Sequence, residues 1–138
     1  SLTAFYTVLL EGDDVHDPVA DAARGVLDGH IFLSRELADA GHYPAIDIEK
    51  SISRVMPKVA SQDHVLAARR IKQLISRHER SRDMVAMGAY MQGSDPDLDA
   101  ALKLWPHIQT FLQQESHQVA DLEGSVTALN TIARASKL

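Results

Sequence analysis

Residues 2–10 restrict the fold of this chain more than any other stretch. They are apolar and include several β-favouring residues: Thr3, Phe5, Tyr6, Thr7 and Val8. This pattern predicts a strand buried on both faces. A buried strand needs neighbouring strands, but few other stretches suit one, and the second plausible strand is the short apolar run at residues 30–33. We therefore expect only part of a sheet here, with its other strands outside this sequence.

Capping residues indicate two helices around that second strand. Asp17 followed by Pro18 is a cap with proline at the first helical position, and this helix is predicted to end near Leu27. Ser34 is predicted to cap the next helix, which Gly41 ends.

The stretch from 41 to 57 contains the side chains that look most exposed to an outside partner. Pro44 restricts Tyr43 to an extended conformation, so its ring is expected to project away from the chain. Asp47 is predicted to cap a short helix that Pro57 ends, with Arg54 on its last turn. An aromatic ring and a guanidinium on stiff backbone suit contacts with a ligand.

The rest of the chain is predicted to be helical. Apolar residues recur with a period of 3.6 from Ser61 towards Tyr90, with a possible interruption near Ser81. Pro96 begins the next helix, and Pro106 is predicted to end it and to start another. A final helix is expected from about residue 118. Short connections between these helices predict an antiparallel bundle with Trp105 and Phe111 in its core.

Composition narrows the class of protein. The 138 residues carry a net charge of −5, which argues against broad affinity for nucleic acid, and they include no cysteine. No apolar run approaches the ~20 residues of a membrane span. Between residues 61 and 82, however, six basic residues stand against two acidic ones. This basic segment is either a directed contact surface or a solvated helix face.

Several kinds of site are not predicted. The seven histidines have no spacing typical of a metal site, and no G-x-x-x-x-G-K-[ST] loop is present to bind phosphates. An acidic cluster near the first turn does not follow the spacing of a calcium loop. Its members are Glu11, Asp13, Asp14, Asp17 and Asp21. We expect a structural role for this cluster and no metal site in the chain.

Residues 44–53, Pro-Ala-Ile-Asp-Ile-Glu-Lys-Ser-Ile-Ser, fit the P-A-[LIV]-D-x3-S-x-S signature of rotary ATP synthase α and β subunits. With the flanking stretches 1–14, 17–18, 27–31 and 33–35, the chain resembles the flagellar and type III secretion export ATPases, and most closely the flagellar branch. The resemblance extends to about residue 112. It implies a mostly α chain in two parts: residues 1–59, with few strands and the helices of a RecA-like α/β nucleotide-binding domain, and residues 60–138, an all-α helical-bundle C-terminal domain.

The resemblance assigns roles to two residues. Arg54 corresponds to the arginine finger, a residue that reaches the γ-phosphate held by the neighbouring subunit and stabilises transition-state charge. The alternative is that Arg54 only complements the C-terminal dipole of a helix. Tyr43 corresponds to the aromatic that stacks on the adenine of its own subunit, the alternative being a core tyrosine with a bonded hydroxyl. Residues near 117–123 would close the other side of that adenine pocket.

The same resemblance implies cofactors, partners and location. ATP and Mg²⁺ would be used by the full-length hexameric enzyme, with their phosphate and metal ligands outside this chain, which would be inactive alone. Expected partners are the neighbouring subunits, a coiled-coil stalk protein at the acidic turn of residues 93–99, export chaperone–substrate complexes and a regulatory or stator subunit. The location would be cytoplasmic, peripheral to the inner membrane.

Two alternatives stay open at this point. A related ring translocase, the RNA-dependent transcription-termination helicase, shares the Leu-Ser-Arg and Pro-Ala-Ile-Asp stretches. The chain could also be an isolated chaperone-binding module without activity.

Overall fold

The computed structural model describes residues 2–10 and 17–136. Eight elements follow one another in this part of the chain: α1 (Pro18–Val26), β1 (Gly29–Leu33), α2 (Arg35–Asp39), β2 (Ile46–Ser53), α3 (Met56–Val59), α4 (Gln62–Ala86), α5 (Pro96–Leu112) and α6 (Leu122–Ala135). The chain is mostly α, as predicted. Across the described ranges, every helix is too short or too polar to cross a membrane.

The two strands form an antiparallel pair. Gly29 lies opposite Ser53 and Leu33 opposite Ile46, with an irregularity in the register near Phe32. A glycine is required at position 29, because a Cβ there would lie 2.5 Å from the carbonyl oxygen of Ile52. The predicted strand at residues 30–33 is therefore confirmed, and its partner is β2.

The predicted helix capped by Asp47 is wrong, because residues 46–53 form the strand β2. Pairing with β1 gives the backbone N–H and C=O groups of this segment hydrogen-bond partners along a ladder, and a short capped helix would leave more of these groups unpaired. The Asp47 carboxylate instead accepts from the backbone N–H of Lys50 at 3.0 Å and pairs with its ammonium at 3.1 Å. Arg54 consequently follows a strand and does not lie on a helical turn.

The predicted caps at Asp17 and Ser34 are confirmed, as is the end of the second helix at Gly41. Asp17 accepts from the N–H groups of Val19 and Ala20 at the start of α1. Ser34 accepts from the N–H of Leu37 in α2. Gly41 follows with a φ of 74°, the left-handed conformation that glycine tolerates best.

Helices α4, α5 and α6 pack together as the predicted bundle. Leu74, Leu98 and Ile108 are its largest fully buried side chains. Trp105 and Phe111 are partly buried and pack against this core, so they lie at its edge. The Trp105 ring stacks on His78 at a centroid distance of 3.6 Å.

Several boundaries in the bundle differ from prediction, and helix α4 ends at Ala86 and not at Tyr90. Helix α4 continues past Ser81, whose side chain is buried. Helix α5 runs through Pro106, although proline cannot donate the usual hydrogen bond there. Helix α6 begins at Leu122 and not near 118, because Asp121 caps it by accepting from the N–H of Gly124 at 2.6 Å.

The predicted strand at residues 2–10 is wrong for this chain, since the stretch has no regular secondary structure. Its apolar side chains face solvent: Leu2 is 95%, Phe5 92% and Leu9 91% exposed. A strand forms by pairing with neighbours, and within the described residues no other strand lies against this stretch. The predicted turn that follows, and the acidic residues Glu11, Asp13 and Asp14, lie outside the described residues.

Candidate functional site

Tyr43 and Arg54 lie at the two ends of the segment that contains β2. Tyr43 precedes the strand and Arg54 follows its last residue. Tyr43 is 57% exposed, and its hydroxyl has no hydrogen-bond partner among the described residues. Within this chain Tyr43 is therefore not a core residue.

An open groove of about 590 Å³ separates Tyr43 from the segment that follows α5. We call it the Tyr43 groove, and it is lined by Gly41, Tyr43, Pro44, Gln113, Gln114, Glu115, Ser116 and Gln118. The groove has one aromatic wall and one wall rich in amides. Its volume falls within the range typical of sites for small molecules.

Hydrogen bonds fix the amide wall of the groove. The backbone N–H of Gln114 donates to the carbonyl of Tyr43 at 2.9 Å, which joins the two walls directly. The Gln114 side-chain amide donates to the carbonyl of Gln118 at 2.7 Å. Of the residues 117–123 that the resemblance implied for this wall, Gln118 lines the groove, whereas Leu122 and Glu123 lie in α6. Sequence reasoning missed Gln113 and Gln114.

Arg54 lies at the C-terminal end of α1. Its guanidinium donates to the carbonyls of Gly25 and Arg24, each at 3.0 Å, and its backbone N–H donates to Asp28 at 2.8 Å. A cation is favourable at this end of a helix dipole. The residue is nevertheless exposed, so its guanidinium is held at the surface and not sealed beneath the helices.

The two serines of the signature support the backbone around Arg54. The Ser51 hydroxyl accepts from the N–H of Phe32 at 3.0 Å and donates to the carbonyl of Asp47 at 2.6 Å. These two bonds connect the strands where their register is irregular. The Ser53 hydroxyl accepts from the N–H of Met56 at 3.2 Å, at the start of α3. The Ser51 hydroxyl therefore holds the backbone within the strand pair, and the Ser53 hydroxyl holds the connection from β2 to α3.

A second residue that sequence reasoning missed is Lys72 of α4. Its ammonium donates to the carbonyl of Ser51 at 3.1 Å in a partly buried setting. Lys72 follows the buried Ile71 and lies one helical turn from the buried Ile75. The feature of the sequence that could have indicated this contact is the position of Lys72 at the edge of the apolar stripe of α4.

The acidic turn of residues 93–99 is held by internal contacts. Asp95 caps α5 by accepting from the N–H groups of Asp97 and Leu98, and its carboxylate also pairs with Arg77. The hydrogen bond from Arg77 is the main reason that the pKa of Asp95 is lowered. The turn is thereby fixed to α4.

The other two carboxylates of this turn also have partners within the chain. Asp97 pairs with Arg70 at 2.8 Å. Asp99 accepts from the hydroxyl of Tyr90 at 2.8 Å and from the N–H of Gly93 at 2.9 Å. Desolvation and the contact with Asp99 raise the pKa of the Tyr90 phenol. Part of the basic segment thus serves contacts within the chain, because Arg70 and Arg77 bond inside the bundle and Lys72 bonds to β2.

The described residues contain no group of three or more histidine, aspartate or glutamate side chains that could hold a metal ion.

Two family models match this sequence. The ATP synthase alpha/beta family, nucleotide-binding domain, matches residues 1–53. The T3SS EscN ATPase C-terminal domain matches residues 60–131, which is more than half of the chain. The chain belongs to the type III secretion and flagellar ATPase family.

Individual members of this family agree with that assignment. The flagellum-specific ATP synthase of Salmonella typhimurium is 58% identical over 132 residues, which is 96% of this chain and 29% of the relative. The type 3 secretion system ATPase of Pseudomonas syringae pv. tomato is 44% identical, over 94% of this chain and 29% of the relative. The similarity to flagellar enzymes agrees with the predicted flagellar branch. The chain spans less than a third of the length of these relatives.

A solved structure of the family has the same fold. The assembled ATPase EscN from the enteropathogenic E. coli type III secretion system matches with a TM-score of 0.93 and 44% identity, over 96% of this chain and 32% of the EscN chain. EscN has also been solved in complex with its central stalk EscO, and that structure matches with a TM-score of 0.80 and 40% identity, over 84% of this chain and 29% of the solved one.

Proposed function

We propose that this chain is part of a hexameric ATPase that energises flagellar or type III protein export. In this proposal Tyr43 stacks on the adenine of the ATP bound by its own subunit. Arg54 acts as an arginine finger on the nucleotide of the neighbouring subunit. Residues 1–59 belong to the nucleotide-binding domain and residues 60–138 form the helical C-terminal domain, with the boundary near Val59.

The observation that carries this proposal is the placement of Tyr43 and Arg54 at opposite ends of one strand. The two ends of β2 pair with the two ends of the five-residue β1, so the irregular strand spans about 13 Å, which is four residue steps of about 3.3 Å. The exposed ring lines the Tyr43 groove, whereas the exposed guanidinium lies at the C-terminal end of α1. Because their surroundings differ, the two groups suit two different binding pockets.

The chemistry of each group fits its proposed role. A guanidinium is always charged and can donate to two phosphate oxygens at once. The carbonyls of Arg24 and Gly25 hold Arg54 through hydrogen bonds that an approaching phosphate, carrying more charge, would replace. Base stacking needs only a presented ring, and the Tyr43 groove provides one with open space beside it.

The remaining groups needed for catalysis are proposed to lie outside this sequence. ATP and Mg²⁺ would be bound by a phosphate-binding loop and a carboxylate in other parts of the enzyme, so the chain alone would not hydrolyse ATP. EscN assembles and binds a central stalk. We extend both properties to this chain, with stalk contact at the turn of residues 93–99.

Further partners are proposed on the family relationship alone. They are export chaperone–substrate complexes and a regulatory or stator subunit, at a cytoplasmic site peripheral to the inner membrane.

Replacing the guanidinium tests the role of Arg54. In a full-length hexamer that contains this sequence, Arg54→Ala is expected to lower turnover by about 10³–10⁵ because transition-state charge is no longer stabilised. The KM for ATP should change little, since Arg54 does not hold the nucleotide of its own subunit. Steady-state ATPase assays on rings of verified size measure both.

Arg54→Lys is the matched control for charge. It keeps the positive charge but loses the two-pronged donor geometry, so we expect intermediate turnover. Near-normal turnover of Arg54→Ala in assembled rings would refute the assignment.

A further inference from the structure

The strand that leads to Arg54 is attached to the helical bundle by two contacts of different kinds. The Ile48 side chain of β2 packs against the bundle core. Three residues further along the strand, the carbonyl of Ser51 accepts a hydrogen bond from the ammonium of Lys72 at 3.1 Å. The first contact is apolar and permits sliding, whereas the second fixes a particular backbone atom.

Ser51 is held from three directions. Its hydroxyl contacts the N–H of Phe32 and the carbonyl of Asp47, and its own carbonyl contacts Lys72. A partly buried hydrogen bond from a charged donor is stronger than one between neutral groups. Lys72 is therefore the member of this set that joins the helical bundle to the strand pair.

From Ser51 the backbone leads to Arg54 without a flexible joint. Ser53 pairs with Gly29, and the N–H of Arg54 donates to the carbonyl of Asp28 at 2.8 Å. A shift of the strand at Ser51 would therefore move the base of the Arg54 side chain. An error of ~1 Å in the position of a catalytic group can cost about 10²-fold in rate.

We propose that Lys72 is a positioning residue for Arg54 and that, through it, the helical domain sets where the arginine finger lies. The inference rests on the proposed role of Arg54. It adds that contacts made by the helical domain change turnover through one hydrogen bond, from Lys72 to the Ser51 carbonyl. Lys72 itself contacts neither nucleotide in this account.

Substitution of Lys72 in the full-length hexamer tests this directly. Lys72→Met keeps much of the stem and removes the donor, and we expect kcat to fall by about 10-fold to 10²-fold with the KM for ATP unchanged. Lys72→Arg keeps a charged donor and should restore most of the turnover. Lys103→Met makes the same charge change at an exposed position of α5 and should leave turnover unaltered. Lys72→Gln, too short to reach Ser51, replaces Lys72→Met if that variant does not assemble.

A double-mutant cycle separates positioning from a general loss of structure. In an Arg54→Ala background, Lys72→Met should cause little further loss, because the group that it positions is gone. Suppose that Arg54→Ala lowers turnover as expected but Lys72→Met costs nothing, or costs the same factor in both backgrounds. The positioning role of Lys72 is then refuted and the proposed function stands. If Arg54→Ala leaves turnover intact, the proposed function fails and this inference fails with it.

Discussion

At Tyr43, the backbone is fixed while the ring is left free. Its carbonyl accepts from Gln114 at 2.9 Å, and Gly41 turns the chain just before it with a φ of 74°. Tyr43 as a whole is 57% exposed, and its ring lies beside an open groove. Because the backbone is already fixed, the ring loses little conformational freedom on binding, and its stacking energy is opposed by only a small entropic cost.

Tyr43→Ala should raise the KM for ATP of the full-length enzyme while leaving kcat close to its original value. Stacking of a base on an aromatic ring contributes about 1–3 kcal/mol, which corresponds to an increase of roughly 5-fold to 150-fold. Steady-state kinetics over a wide range of ATP concentration measure both constants.

Tyr43→Phe is the matched control, because it keeps the ring and removes the hydroxyl, which has no partner within the described residues. Its KM for ATP should stay near that of the unchanged enzyme. If Tyr43→Phe lost as much affinity as Tyr43→Ala, the hydroxyl and not the ring face would be the binding group.

Among the helices, α5 contains a residue that ordinarily ends a helix. Pro106 lies inside its seventeen residues, and the helix continues to Leu112. The side chain of Pro106 is exposed, whereas Leu104 and Ile108 on either side are buried. Packing of these neighbours against α4 and α6 therefore compensates for the hydrogen bond that proline cannot make.

Pro106→Ala should stabilise the chain by about 1–2 kcal/mol. Alanine restores a backbone donor and is about 3 kcal/mol better than proline within a helix, although a more flexible unfolded state removes part of the gain. Urea unfolding followed by the fluorescence of Trp105, the single tryptophan, measures the change.

Pro96→Ala is the matched control, since Pro96 occupies the first position of the same helix, where proline is well tolerated. That variant should gain little or nothing. A loss of stability in Pro106→Ala would contradict the account of α5.

The elements show why sequence reasoning succeeded in some places and failed in others. Caps at Asp17, Ser34 and Ser61 depend on contacts within three residues, so the sequence predicts them well. The secondary structure of residues 46–53 depends on pairing with β1, and the paired residues lie 13 to 24 positions apart in the sequence. The capping pattern at Asp47 therefore predicted a helix that does not form. Pro106 was misread for the same reason, because burial of its helix comes from distant residues.

The same distinction applies to the candidate site. Tyr43 and Arg54 could be proposed because they lie within a specific motif. Tertiary packing alone brings Gln114, just after α5, and Lys72 of α4 to the site, and both lie beyond the motif in the sequence. No local pattern could have paired Lys72 with the carbonyl of Ser51.

On the scale of the whole molecule, the chain combines a well-packed bundle with an apolar surface that it does not cover. Residues 2–10 expose Leu2, Phe5 and Leu9, within the range that matches the nucleotide-binding domain of the ATP synthase family. The chain spans 29% of its Salmonella relative. In the proposed enzyme, the other strands of the nucleotide-binding domain would cover this surface.

The ring proposal also requires that each subunit contribute to two nucleotide sites. Tyr43 would serve the site of its own subunit, and Arg54 would serve the next one. Disabling the finger on one subunit should then harm the neighbouring site and leave its own site able to work with an intact neighbour. This property distinguishes a ring motor from a set of independent ATPases.

Mixing two inactive variants of the full-length enzyme tests that claim most directly. One carries Arg54→Ala, and the other lacks the lysine of its phosphate-binding loop. In rings reassembled from equal amounts, about a quarter of the interfaces would join an intact loop to an intact finger. The account predicts that ATPase activity returns on mixing, in proportion to those interfaces. Mixed rings as inactive as either parent would show that Arg54 acts within its own subunit and would contradict the account.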